Sequence, residues 1–219
     1  MRSNYSAVVW DMDGTLIDTE SIHEATLLSS CQTFGFKILP HHQHVGLCLT
    51  QIWAAIGGTH QSQISQEKWL EHLHLEFVKK TKLNKDYLRP GIKVILNTLS
   101  NFKISQACAT NSPREALDFN MVHLEIDHYF DHTVSRDDVL AGKPAPEIYL
   151  KACKHLGISP DKCVAVEDTP VGIRAAKAAG MTAVAFPNQI TKNLDFSQAD
   201  LIIEEITSLL DFLGIKAAA

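Results

Sequence analysis

Four short polar clusters in the sequence could carry chemistry. Asp11-Met12-Asp13-Gly14-Thr15 sets two carboxylates two residues apart. Thr110-Asn111-Ser112, followed by Pro113, offers hydroxyls, an amide and the free backbone N–H groups of a helix start. Gly142-Lys143-Pro144 places a lysine between two chain breakers, and Glu167-Asp168 supplies two further carboxylates. Gathered in one crevice, these carboxylates would repel strongly unless a cation lay among them. All the candidate ligands are hard oxygens, which suits Mg²⁺ better than zinc or copper. Lys143 adds fixed positive charge, and the helix start behind Thr110 is a cradle for an anion. A divalent cation, a lysine and a helix N-terminus together ask for a phosphorylated substrate. Each cluster alone has a plainer reading: a D-x-D loop, an acidic turn with an N-cap, a solvated lysine, a pair of helix caps. Joint placement is what raises them above that.

The elements around the clusters supply the placement. Ala7-Val8-Val9-Trp10 is too short and too apolar for anything but a buried strand, and it ends at Asp11. From 19 to 85 there are no strand signals. Ala25–Leu28, Ile52–Ile56 and Trp69–Val78 have helical spacing, broken at Gly35, Pro40, Gly46 and Gly57-Gly58. After Arg89-Pro90-Gly91, helix and strand alternate: helix 92–99, strand 104–109, a helix opened by Ser112-Pro113-Arg114-Glu115 as a capping box, and helix 146–156 ended by Gly157. Strand 163–166, a helix capped by Thr169-Pro170 and ended by Gly180, strands 182–186 and 201–203, and helix 206–213 complete the chain. This pattern predicts a doubly wound α/β fold with a parallel sheet covered on both faces. The core is expected over 1–17 and 86–219, with an α-helical cap inserted over 18–85. Ligands of such sheets bind beyond the carboxyl ends of the strands, where all four clusters would converge.

Composition narrows the function classes. Hydrophobic residues are 45% and charged residues 21%, with a net charge of −5, values that suit a globular chain rather than a disordered one. Mild acidity without a basic run argues against nucleic acid or an anionic membrane as partner. There is no apolar run long enough for a membrane span, and the first residues lead into a strand rather than reading as a signal peptide. Five scattered cysteines without a C-x-x-C pair fit reduced thiols in the cytoplasm better than disulfides or structural zinc. His41-His42-Gln43-His44 reads as a solvated segment, since no second Cys or His pair accompanies it. An EF-hand fails because Leu16 and Ile22 stand where its Gly and Glu belong. There is no dinucleotide fingerprint, serine-hydrolase elbow or Walker A loop.

At the four clusters the sequence resembles the haloacid dehalogenase superfamily, in its branch of Mg²⁺-dependent phosphatases and phosphomutases. Asp11-Met12-Asp13-Gly14-Thr15-Leu16-Ile17-Asp18-Thr19-Glu20 resembles the first motif of that family, Thr110-Asn111-Ser112 the second, Lys143 in Gly-Lys-Pro-Ala-Pro-Glu-Ile-Tyr the third, and Val166-Glu167-Asp168-Thr169 the fourth. The order and spacing agree over nearly the whole chain, and the inserted segment is similar to the helical caps of β-phosphoglucomutase and its phosphatase relatives. The resemblance implies that Asp11 is the nucleophile, forming an aspartyl phosphate, and that Asp13 is the general acid and base. It implies Mg²⁺ held by the Asp11 carboxylate, the Asp13 backbone carbonyl and Asp168, with Glu167 alongside, and phosphoryl oxygens held by Thr110, Lys143 and Asn111. Dehalogenases of the superfamily lack the second aspartate of the first motif, so Asp13 and Glu167-Asp168 count against halide chemistry.

The expected activity is hydrolysis of a small phosphorylated metabolite, a sugar or polyol phosphate, with the cap closing over it and contributing His23, Leu47 and Thr50 to specificity. A β-phosphoglucomutase-like mutase is the alternative. Such a mutase has an arginine in a cap loop for the second phosphate, whereas the corresponding stretch here, His44 to Gln51, contains no Arg or Lys. A catalytically silent phosphate-binding regulator would have lost Asp11, Asp13 or Lys143, and all three are present. A monomer is expected.

Overall fold

Burial on both faces of a parallel sheet selects continuous apolar runs, and the first strand, β1 (Ala7–Trp10), is buried at every residue. It is flanked by β2 (Ser105–Ala109) and β4 (Cys163–Glu167), and the six-stranded sheet has the order β3-β2-β1-β4-β5-β6, with β3 at His132–Val134, β5 at Thr182–Ala185 and β6 at Leu201–Ile202. Every pairing is parallel. The computed structural model describes residues 4–40, 49–57, 64–83 and 87–215. The chain divides into two compact units, Met1–Asp18 with Tyr87–Ala219, and Thr19–Asp86.

In the α/β unit, alternation along the strands sends Ala7, Val9, Ala107, Ala109, Cys163 and Ala165 to one face. There they pack with Ile148, Tyr149 and Ala152, and with Ile173 and Ala176. On the other face Trp10 Nε1 donates to Gln106 Oε1 at 3.1 Å, and Gln106 Nε2 donates to the Leu96 carbonyl at 3.0 Å. Buried amide and indole groups are thereby paired, as burial requires. Trp10 lies level with Cys108 and with Val166. Strands β1, β2 and β4 therefore run out within a residue or two of one another, at Asp11, Thr110 and Glu167. Strand order reverses at β1, the position where doubly wound sheets open a crevice.

The helical unit comprises, among its described residues, α1 (Glu20–Phe34), α2 (Leu49–Ala55) and α3 (Gln66–Leu83). Its core is Leu27, Cys31, Leu39, Ile52, Trp53, Ile56, Trp69 and Leu73, with the two indole rings 5.1 Å apart. The remaining helices, α4 (Ile92–Asn101), α5 (Arg114–His123), α6 (Glu147–Leu156), α7 (Pro170–Ala178) and α8 (Ser208–Phe212), belong to the α/β unit. Gly157 ends α6 in the left-handed region at φ 67°, and Thr169 caps α7 by accepting from the Gly172 N–H.

One strand is added to the sequence reading and one cap is corrected. β3 (His-Thr-Val) has no apolar run and left no strand signal; parallel pairing with Ala107–Ala109 makes it one. The capping box at Ser112 does not form: α5 begins at Arg114 with Pro113 at its N-cap and no side-chain cap. The Ser112 hydroxyl is instead turned to Asp13, to which it donates at 2.6 Å, and Ser112 stands one residue before the N-cap, out of reach of the cap role.

Candidate active site

The alternation that buries Val9 continues into Asp11 and Glu167, which project toward α6 rather than into water. Asp11 is 6% exposed and Glu167 1%. Into this pair the loop before α6 inserts Lys143, whose ammonium donates to Asp11 Oδ1 at 2.5 Å and to Glu167 Oε1 at 2.6 Å. Tyr149, one turn into α6, donates its phenol to the same Glu167 oxygen at 2.7 Å. Thr169 donates to Glu167 Oε2 at 3.2 Å. The close fit continues at Gly172, where a Cβ would stand 1.8 Å from the Glu167 carboxylate, so only glycine allows α7 to approach it.

Burial raises the Asp11 carboxyl well above the usual range, and Glu167 raises it further, while Lys143 pulls it down. Burial would lower the Lys143 ammonium, but Asp11 and Glu167 overcome it and hold the lysine charged. Asp168 is pushed up to about 7 by burial and by Glu167, against Lys143 and Arg89. One lysine is thus set against three buried acids, and the surplus of negative charge calls for another cation.

The residues fit one. Carboxylate oxygens of Asp11, Glu167 and Asp168 lie within 4.8 Å of one another. Asp168 Oδ1 is buried and accepts no hydrogen bond from the described residues. An orphaned carboxylate oxygen in an all-oxygen donor set is the chemistry that suits a hard divalent cation. The Asp13 side chain is turned elsewhere: its Oδ2 accepts from Thr110 at 3.2 Å and from Ser112 at 2.6 Å. Asn111 is interlocked with the backbone of Lys143, accepting from its N–H at 2.9 Å and donating to its carbonyl at 3.2 Å. The loops carrying Thr110 and Lys143 are thereby joined.

The structure therefore brings together Asp11, Asp13, Thr110, Asn111, Lys143, Glu167 and Asp168, contributed from four separate places in the chain. His23 lies in α1 of the helical unit, its ring stacked 4.5 Å from Phe77. Leu47 lies outside the described residues, and only the backbone of Thr50, in α2, is described. Sequence reasoning missed Ser112 as a partner of Asp13, Tyr149, Arg89 and Asn188. Tyr149 reads as an ordinary apolar position of α6 and Arg89 as a residue leading into α4. Asn188 stands just beyond β5, and the strand-end rule applied to that strand too would have found it.

The haloacid dehalogenase-like hydrolase family matches residues 8–186. The chain is 32% identical over 180 residues to the phosphorylated carbohydrates phosphatase of Thermotoga maritima, covering 80% of this chain and 82% of that one. It is 31% identical over 186 residues to the fructose-1-phosphate phosphatase YqaB of Escherichia coli, covering 84% and 97%. The crystal structure of CbbY from Rhodobacter sphaeroides in complex with phosphate superposes with a TM-score of 0.79 at 25% identity, over 96% of this chain and all of that one. This chain belongs to the haloacid dehalogenase-like hydrolases. It is an enzyme, and among the described residues no helix is long and apolar enough to cross a membrane.

Proposed function

We propose that the protein is a Mg²⁺-dependent phosphatase of a small phosphorylated metabolite, a sugar or polyol phosphate, working through an aspartyl phosphate. The observation that carries this reading is the buried Asp11 carboxylate, paired with Lys143 at 2.5 Å and set beside the orphaned oxygen of Asp168. The phosphatase names of the relatives and the phosphate complex of CbbY support it. Asp11 attacks the phosphorus while the bond to the ester oxygen breaks, and Asp13 gives that oxygen its proton. Asp13 then takes a proton from water as the water attacks the aspartyl phosphate, which frees inorganic phosphate and restores Asp11. Lys143 and Thr110 hold phosphoryl oxygens, and Asn111 acts by fixing the backbone of Lys143. Mg²⁺ would be held by Asp11, Asp168 and the Asp13 backbone carbonyl with Glu167 alongside. When bound, it neutralises the repulsion between carboxylate and phosphoryl oxygens. The helical unit serves as the cap over the substrate, with His23, Leu47 and Thr50 shaping specificity. We place the enzyme in the cytoplasm as a monomer; Cys31, Cys108, Cys153 and Cys163 are buried and free, as a reducing compartment allows.

The test is phosphate release from a panel of phosphorylated metabolites with and without Mg²⁺, sugar isomerisation being scored in parallel. Net release that stops in EDTA, and is abolished in a folded Asp11→Asn variant, is expected. Retained turnover in Asp11→Asn refutes the nucleophile, and isomerisation without release selects the mutase.

A further inference from the structure

Asp168 is held from a direction the motif residues do not explain. Its Oδ2 accepts from Asn188 Nδ2 at 2.9 Å, whereas its Oδ1 is buried and bare. The orientation of the Asn188 amide is decided by its own turn. Its Oδ1 accepts from the N–H groups of Ile190 (2.9 Å) and Thr191 (3.0 Å) and from the Thr191 hydroxyl (3.2 Å), leaving only the NH₂ to face Asp168. The same oxygen is packed against Gly14, at φ 83°, where a Cβ would stand 2.1 Å from Asp168 Oδ2 and 3.0 Å from Asn188 Nδ2. Asp168 Oδ2 is thus fixed by both walls, the Asn188 amide and the Gly14 backbone.

A single side chain joins the walls. Arg89 Nη1 donates to the carbonyls of Gly14 (2.7 Å) and Phe186 (2.8 Å), and Nη2 donates to Pro187 (2.9 Å). Its guanidinium carbon lies 3.4 Å over the centroid of the Phe186 ring. A planar five-donor fork can span three carbonyls and stack at once, which an ammonium cannot.

We propose that Asn188, anchored through Arg89, is a positioning residue for the divalent cation: it holds one oxygen of Asp168 so that the other is presented to the metal. This rests on the reading of Asp11, Glu167 and Asp168 as the cation site. Partners that orient a ligating carboxylate typically alter metal affinity by about 10–100-fold when removed.

The test titrates Mg²⁺ by calorimetry into the metal-free full chain, as wild type, Asn188→Ala and Arg89→Lys. Melting in EDTA and release of phosphate from p-nitrophenyl phosphate are measured alongside. In Asn188→Ala the Mg²⁺ dissociation constant is expected to rise by about 10–100-fold. Its KM for the ester should stay near wild type and its kcat should return once Mg²⁺ is saturating, while its metal-free melting temperature falls with the hydrogen bonds of the turn. Arg89→Lys should weaken Mg²⁺ binding in the same direction; should that variant fail to fold, Asn188→Ala decides. Wild-type Mg²⁺ affinity in Asn188→Ala, or lost turnover that added Mg²⁺ does not restore, overturns the proposal and leaves the phosphatase reading intact. Weakened Mg²⁺ binding in a protein that releases phosphate from no ester supports the positioning role and removes the phosphatase reading. A wild type that binds no Mg²⁺ overturns both.

Discussion

Replacing Lys143 with methionine removes the only cation in contact with Asp11 and Glu167 among the described residues, while keeping most of the buried stem. The magnitude follows from the distances. Three carboxylates whose oxygens lie within 4.8 Å of one another repel at about 3 kcal/mol per pair with an effective dielectric of about 20, or about 10 kcal/mol together. The lysine contacts of 2.5 and 2.6 Å return about 6.5 kcal/mol each on the same scale, about 13 kcal/mol in all. The ammonium therefore offsets the mutual repulsion of the three carboxylates although it leaves their charge in surplus, and without it the site stays charged only if other cations enter. Removing one partner of a buried pair is destabilising by about 3–5 kcal/mol, which in a protein of this size lowers the melting temperature by about 6–20 °C.

The pH dependence has a definite sign. The Asp11 and Asp168 carboxyls are raised in the fold above their ordinary value of 3.8, Asp168 to about 7, so the metal-free fold binds protons more tightly than the unfolded chain. Its stability is fully present below the ordinary value and is lost as pH rises through the folded ones. Lys143→Met, melted in EDTA, should approach wild type at pH 4 and fall well below it at pH 8. Millimolar Mg²⁺ should close much of the gap at pH 8, while turnover stays depressed by about 10²–10³-fold or more, as the proposed role of Lys143 in holding phosphoryl oxygens requires. A variant that melts like wild type in EDTA at pH 8, or a deficit that neither acid nor Mg²⁺ relieves, would refute the charge-balance reasoning.

Two further substitutions probe the support of Glu167. Tyr149→Phe removes a 2.7 Å hydrogen bond to Glu167 but leaves Lys143 in place, so urea unfolding should show a loss of about 1–2 kcal/mol, and an unchanged midpoint would show that the phenol is idle. Gly172→Ala sets a methyl carbon 1.8 Å from the Glu167 carboxylate. α7 or Glu167 must shift, and a loss of about 1–3 kcal/mol with a sharp fall in turnover is expected; wild-type stability and activity together would contradict the packing.

Much of this was legible before any coordinates. A continuous apolar run ending in acid can only be an interior strand whose last residue reaches the crevice, so Asp11, Thr110 and Glu167-Asp168 could be placed at strand ends from hydropathy alone. The glycine stops at Gly157 and Gly180 and the Thr169 cap are local features whose effect lies within a few residues, and they too were readable. β3 was not, because His132-Thr133-Val134 becomes a strand only through its neighbour. The Ser112 capping box failed for a related reason: the carboxylate that turns its hydroxyl away from the helix start, that of Asp13, is 99 residues distant in the chain.

What residue order determined, then, is which groups exist and that a parallel sheet would carry them to one edge: the two aspartates of the first cluster, a lysine and paired carboxylates. Only tertiary structure decided how they are held. That Lys143 bridges Asp11 and Glu167, that Asn111 grips the lysine backbone, and that Arg89 and Asn188 leave one oxygen of Asp168 bare are all contacts between segments 20 to 132 residues apart. Periodicity and capping rules act over a turn or a strand. Hydrogen bonds and charges in a buried crevice act over a few ångströms of space, whatever the distance along the chain.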